Sequence, residues 1–171
     1  MRLLDRRRAL MEAQETTPVT QLLPSCLNWW DYGRKVYTPL TDDSFELKVI
    51  QLSSWNCYCY ATRTLTVKYA DLVGKTVVVD YDFDDPNGVR SAVQFGTTSN
   101  ADFTANSGSI HSKSSLQNPT ITSNHYHAEV VIGTDYTTTY VNEYLTLVQY
   151  VYSTSSTGTL TVTNFKCYIK S

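Results

Sequence analysis

Successive short runs in the body of this chain alternate apolar and polar residues at period two, and that regularity excludes most architectures. Phe45, Leu47 and Val49 alternate with Glu46 and Lys48, and Leu65, Val67 and Tyr69 alternate with Thr64, Thr66 and Lys68. Val77, Val79, Tyr81 and Phe83 alternate with Val78, Asp80, Asp82 and Asp84. Neighbouring side chains on an extended backbone point to opposite faces, so each run predicts a strand with one buried face. Further strands are predicted over 89–95, 125–132, 144–152 and 159–169. In the last of these Leu160 and Val162 hold one parity while Phe165, Cys167 and Ile169 hold the other, which predicts a bulge at Asn164.

Asp85, Pro86, Asn87 and Gly88 form a turn signal, because proline presets φ and glycine accepts positive φ. Residues 96–118 are rich in Ser, Thr, Asn and Gly and read as a long loop holding one edge strand. The body has many short strands, polar turns and no amphipathic helix. The expected fold is all-β, an antiparallel β-sandwich of the jelly-roll kind, preceded by a short helical arm.

That arm is written in a different vocabulary. All thirteen tyrosines lie at or beyond Tyr32, whereas Arg6, Arg7 and Arg8 stand together at the opposite end. Residues 3–15 contain good helix formers and neither Gly nor Pro, which predicts about three helical turns. The apolar positions Leu3, Leu4, Leu10 and Met11 recur at seven, but Arg7 and Arg8 fill the turn between them. A stripe broken in this way supports ordering against a partner better than a lone helix. Residues 1–17 are accordingly expected to be a basic docking arm, with Arg2, Leu3, Leu4, Arg6, Arg7, Arg8, Leu10 and Met11 as its contacts. Residues 18–27, containing Pro18 and Pro24, are expected to be a linker, and 28–171 the sandwich. A length of 171 residues suits one domain plus such an arm.

The net charge of −2 argues against a broad nucleic-acid-binding face, which needs basic residues spread along the contact. After the first arginines the apolar run is only Ala9, Leu10 and Met11 before Glu12, too short for the apolar region of about 7–15 residues in a secretory leader. No stretch approaches the roughly 18 apolar residues of a membrane span. The expectation is a protein that stays in the cell that makes it, or leaves inside a larger particle. Cys57 and Cys59 share one strand face, where a bond between them would be strained, and Cys26 and Cys167 are isolated. Free thiols are expected, with a bridge from Cys26 or Cys167 to the pair as the alternative.

Two polar constellations invite a chemical reading. Asp80, Asp82 and Asp84 project from one strand face, followed by Asp85 and Asn87 in the turn. Asp82, Asp84, Asp85 and Asn87 offer hard oxygen ligands of the kind that suits Ca²⁺, the one cofactor this composition brings to mind. The alternative is that Lys48, Lys68 and Arg63 offset these charges from neighbouring strands. His125 and His127 share a strand face and would hold a transition metal if a third ligand approached; the competing reading is a solvated polar face. No serine elbow, zinc-protease helix or glycine-rich phosphate loop is written in the chain, and no catalytic residue is assigned.

Aromatic residues give the better functional lead. Tyr144, Tyr150 and Tyr152 share one parity of a strand whose other parity carries Leu145, Leu147 and Val151. With the leucines in the core, the tyrosines form a stripe on which sugars stack or a neighbouring subunit packs, joined by Trp29, Trp30 and Trp55. The alternative is a strand buried on both faces beneath a covering element.

The opening run Met1, Arg2, Leu3, Leu4, Asp5, Arg6, Arg7, Arg8, Ala9, Leu10, Met11, Glu12, Ala13, Gln14 resembles the start of small virion structural proteins of tailed phages infecting Gram-positive gut bacteria. The body is similar to a carbohydrate-binding-module jelly roll at Leu65 to Val67, at Leu72 to Val79 and at Gly158 to Phe165. Together these resemblances imply a non-enzymatic particle component of the tail, baseplate, fibre or capsid surface, assembled in the host cytoplasm. Its arm would dock on other virion proteins, its sandwich would face outward toward host surface glycans, and its station would imply a homo-oligomer. The alternatives are a free carbohydrate-binding module and a purely structural oligomeric subunit.

Overall fold

A computed structural model describes residues 20–23, 25–27, 29, 31, 36–49, 57–85, 90–101, 110–153 and 157–171, the side chains of 57–60, 90, 152 and 153 excepted. The arm with Arg2, Leu3, Leu4, Arg6, Arg7, Arg8, Leu10 and Met11 lies outside the described residues, as do Trp30, Trp55 and Asn87.

The strands are β1 (Thr20–Gln21), β2 (Tyr37–Thr41), β3 (Ser44–Val49), β4 (Cys57–Lys68), β5 (Thr76–Asp84), β6 (Arg90–Thr98), β7 (His111–Ser115), β8 (Thr120–Ile121), β9 (His125–Val131), β10 (Tyr144–Ser153) and β11 (Gly158–Ile169). One sheet runs β2-β3-β11-β5-β9-β8 with β1 added beside β11, and the other runs β4-β10-β6-β7. All of these strand pairings are antiparallel. From β3 to β6, and again from β9 to β11, the chain changes sheet at each strand, the winding of a jelly-roll sandwich.

The alternation read from the sequence is the cause of this layering. Phe45, Leu47 and Val49 of β3, and Val77, Val79 and Tyr81 of β5, are fully buried between the sheets. β11 carries the expected slip: its register against β5 shifts between Thr163 and Lys166, and Asn164 adopts φ 54°. The bulge turns Phe165 and Cys167 inward after Leu160 and Val162, so one long strand buries both parities. Its first half pairs with β3 and its second half with β1.

Aromatic rings fill the middle of the core. Tyr81 stacks on Tyr126 at 4.8 Å between ring centres and on Phe165 at 5.3 Å. Trp29 packs at 5.2 Å from Phe45 and 5.4 Å from Phe165. Burying side chains of this size contributes about 1.5–3 kcal/mol each, and offset or edge-on ring pairs add about 0.5–1.5 kcal/mol.

Two expectations are corrected, and one is met. The stretch expected as a linker supplies β1 and buries Leu22, Leu23 and Cys26 in the core. The prolines at its ends masked an apolar pair that the open side of β11 can cover. Cys26 and Cys167 are free, buried thiols, as expected, and the alternative of a bridge from either to Cys57 or Cys59 falls. Burial pushes the Cys26 thiol up to about 12 and the Cys167 thiol higher still. Finally, Tyr69 leaves the strand pattern and opens a helical turn, Tyr69–Leu72, that buries Tyr69 and Leu72.

Candidate functional site

The outer face of β5 and β9 carries a continuous polar ladder. Tyr126 turns inward onto Tyr81, so period two turns His125 and His127 outward. The antiparallel register sets Asp80 opposite His127 and Asp82 opposite His125. His127 Nδ1 lies 2.7 Å from Asp80 Oδ2, His125 Nδ1 lies 2.8 Å from Asp82 Oδ1, and His125 Nε2 lies 3.5 Å from Asp80 Oδ2. The ladder is closed at both ends. Asn164 Nδ2 donates to Asp82 Oδ2 at 2.8 Å, and Lys170 Nζ bonds both carboxylate oxygens of Glu129 at 2.6 and 2.7 Å. His127 Nε2 reaches Glu129 Oε1 at 3.4 Å.

The electrostatics follow these contacts. The hydrogen bond to Asp80 holds the His127 imidazole above its ordinary pKa, with Glu129 acting in the same direction. Asn164, and then His125, hold the Asp82 carboxyl low, and the Lys170 ammonium does the same for Glu129. These groups are exposed enough that water screens the pairs. Beside the ladder is a cleft of about 380 Å³ lined by Gln117, Asn118, Thr120, His127, Glu129 and Asp135.

A second cluster stands at the edge of the other sheet. The Tyr140 ring stacks on the His111 imidazole with centres 4.1 Å apart and planes 14° apart. His111 Nδ1 is held by both oxygens of Glu143 at 2.9 and 3.0 Å. Thr138 Oγ1 donates to Ser112 Oγ at 2.9 Å and accepts from the Tyr140 backbone N–H at 3.0 Å. Tyr140 is 43% exposed, and among the described residues it is the one aromatic side chain in the exposed class. An aromatic face, a carboxylate and two hydroxyls are therefore held together at one surface point.

The residues expected from the sequence are distributed differently. Trp29 is 7% exposed and sits among Tyr37, Phe45 and Phe165, so it supports the core and offers no stacking face; the aromatic-rich core of the sandwich had a place for its ring. Tyr144 and Tyr150 are half-buried, and Lys68 Nζ lies 5.7 Å from the centre of the Tyr144 ring. On the face between them Thr146 and Val148 are buried, at 0% and 3% exposure, so no open stripe connects the tyrosines. Leu145, Leu147 and Gln149 fill the opposite face. The middle of β10 is thus buried on both sides, as the alternative reading had it. The side chain of Tyr152 lies outside the described residues.

Of the expected Asp82, Asp84, Asp85 and Asn87 set, Asn87 lies outside the described residues. Asp82 is turned onto His125 and Asn164, while Asp84 is exposed one alternation further along β5, about 7 Å on. Asp80 and Asp82 are partnered from the neighbouring strands of their own sheet, by His127, His125 and Asn164. Among the described residues, the side chains that converge on one point are Asp80, His125 and His127, with one ligand atom of each within 4.8 Å of the others. Tyr140 was not foreseen because it lies in an irregular segment between strands, and its partner His111 is remote in sequence.

No protein-family model matches the chain, and no curated protein matches it in sequence. Solved structures do resemble it. The enzymatically active domain of tailspike protein 4 of bacteriophage CBA120 matches 88% of this chain with a TM-score of 0.48 and 12% identity; the chain spans 20% of that protein's length. The carbohydrate-binding module TmCBM27, which recognises mannan, matches over 90% of this chain and 96% of its own length, at TM-score 0.42 and 11% identity. CBM28, a carbohydrate-binding module specific for non-crystalline cellulose, matches over 87% and 97%, at TM-score 0.40 and 13% identity.

Proposed function

We propose that this protein is a non-enzymatic glycan-binding β-sandwich, carried on a phage particle through its basic N-terminal arm. The observation that carries the binding half is the Tyr140 platform. Its ring is exposed yet fixed by the stack on His111, which is itself clamped by Glu143. A ring fixed in this way loses little conformational freedom when a sugar covers it, so the apolar C–H face of a pyranose gains contact at low entropic cost. Glu143, Ser112 and Thr138 supply acceptors and donors for hydroxyl groups beside that ring. The particle half rests on the arginine cluster and on the resemblance of the opening residues to small virion proteins.

Binding of the full chain to a broad array of bacterial surface glycans and plant polysaccharides tests the first half. Tyr140→Ala should weaken binding about tenfold or more, and Tyr140→Trp should retain it. Retention of full affinity by Tyr140→Ala, or failure of the unaltered protein to bind any glycan, overturns the reading. Light scattering of the full chain beside a version lacking residues 1–17 tests the second half: an oligomer that falls to monomer on truncation makes the arm an assembly device.

A further inference from the structure

Independently of glycan binding, we infer that Asp80, His125 and His127 form a binding site for a divalent transition-metal ion of the zinc type on the outer face of the β5–β9 pair. The set contains two imidazoles and one carboxylate, the donors that suit Zn²⁺ and its neighbours rather than Ca²⁺. Zinc bonds of about 2.0–2.2 Å in tetrahedral geometry place ligand atoms about 3.3 Å apart. Asp80 Oδ2 lies 2.7 Å from His127 Nδ1 and 3.5 Å from His125 Nε2, and one ligand atom of each residue lies within 4.8 Å of the others, so an ion seats between them with adjustments of no more than about 1.5 Å.

The surroundings carry the inference further than the three ligands alone. A metal-bound histidine ordinarily donates its other ring N–H to a carboxylate, which fixes the ring and its tautomer. Both imidazoles meet that condition. His125 turns Nδ1 to Asp82, leaving Nε2 toward Asp80, and His127 turns Nε2 to Glu129, leaving Nδ1 toward Asp80. The two outer carboxylates are anchored in turn by Asn164 and Lys170. For ligation the proton between His127 and Asp80 leaves Nδ1, and the neutral ring keeps its N–H on Nε2, where Glu129 accepts it. Three carboxylates then face two ammonium groups, those of Lys170 and of Lys166, which is in register with Asp80. A dication is electrostatically favoured there. The three ligands approach from the sheet, leaving the solvent side of the ion to water.

The test is calorimetric titration of the full chain, freed of metal by chelation, with Zn²⁺, followed by ¹H–¹⁵N spectra of the imidazole nitrogens. One ion per chain is expected, with shifts at His125 and His127 and none at His111. His125→Ala and Asp80→Ala should each weaken binding at least tenfold, and Asp82→Asn, which removes only a positioning contact, should weaken it about tenfold. His111→Ala, on the other sheet, should leave affinity unchanged. No binding, or binding that shifts neither His125 nor His127, overturns the site. The imidazole spectra of the unaltered protein decide the matter even where a variant does not fold. Because no sugar is present, failure here leaves the glycan reading untouched.

Discussion

Gln149 and Tyr81 meet inside the sandwich, where the Gln149 amide donates to the Tyr81 hydroxyl at 3.3 Å from the opposite sheet. The same amide donates to Ser91 Oγ at 2.6 Å, and Ser91 and Tyr81 are themselves 2.7 Å apart. Gln149 is fully buried among leucines, so its amide was desolvated to make these bonds. Gln149→Leu keeps the volume and leaves Tyr81 and Ser91 bonded to each other. It should change stability by less than about 1.5 kcal/mol. Gln149→Ala adds a cavity and should cost about 2–4 kcal/mol, read as a lower urea midpoint.

Asn164 joins the bulge of β11 to the polar ladder. It adopts φ 54° and donates to Asp82, so conformation and contact favour the same residue. Asn164→Ala should cost about 1–2 kcal/mol, because a Cβ without a local polar group is strained in the left-handed region. Asn164→Gly relieves that strain and loses only an exposed hydrogen bond, so it should cost less than Asn164→Ala. Thermal melting of the two variants side by side checks the order; an equal loss would assign the effect to the hydrogen bond alone.

Sandwich and bulge were legible in the chain because a half-buried strand writes its orientation in every second residue. Asn164 was readable for the same reason, as the point where Leu160 and Val162 yield to Phe165 and Cys167. Periodicity is blind to what covers the other face. Thr146 and Val148 look like solvent positions on β10 and are buried, and Trp29 looks like an exposed ring and is core. Pairing across strands is equally hidden: His127 and Asp80 are 47 residues apart, and only the register of β5 against β9 unites them. His125 and His127 could be seen as a pair of ligands, but their third partner could not.

Alkaline pH should unfold this protein progressively. Burial raises the Cys26 thiol from 9.0 to about 12 and the Tyr126 phenol from 10.0 to about 12, and it pushes Cys167 and Tyr81 up further. For each group the folded state holds its proton after the unfolded chain has released it. The stability these groups contribute is therefore complete below about pH 9 and is lost as pH rises toward their folded values. Each group that is ionised only in the unfolded chain should add about 1.4 kcal/mol per pH unit to the decline. Urea midpoints from about pH 8 to about pH 11 should be level at first and then fall. A midpoint level across that range would place these side chains in contact with water.

Trp29 and Tyr140 should separate folding from recognition. Trp29 is wedged among Phe45, Phe165 and Tyr37, so Trp29→Ala removes a large part of the core at that end and should cost about 3–5 kcal/mol. The Tyr140 ring stacks on His111 and the residue is 43% exposed, so Tyr140→Ala should change stability by less than about 1 kcal/mol. Glycan affinity per folded molecule should respond in the opposite order, retained in Trp29→Ala and lost in Tyr140→Ala. Measuring the folded fraction and the affinity on the same samples makes the comparison direct. If Trp29→Ala lost affinity while still folded, the sugar surface would extend to the Trp29 end of the sandwich and the Tyr140 platform would not be its centre.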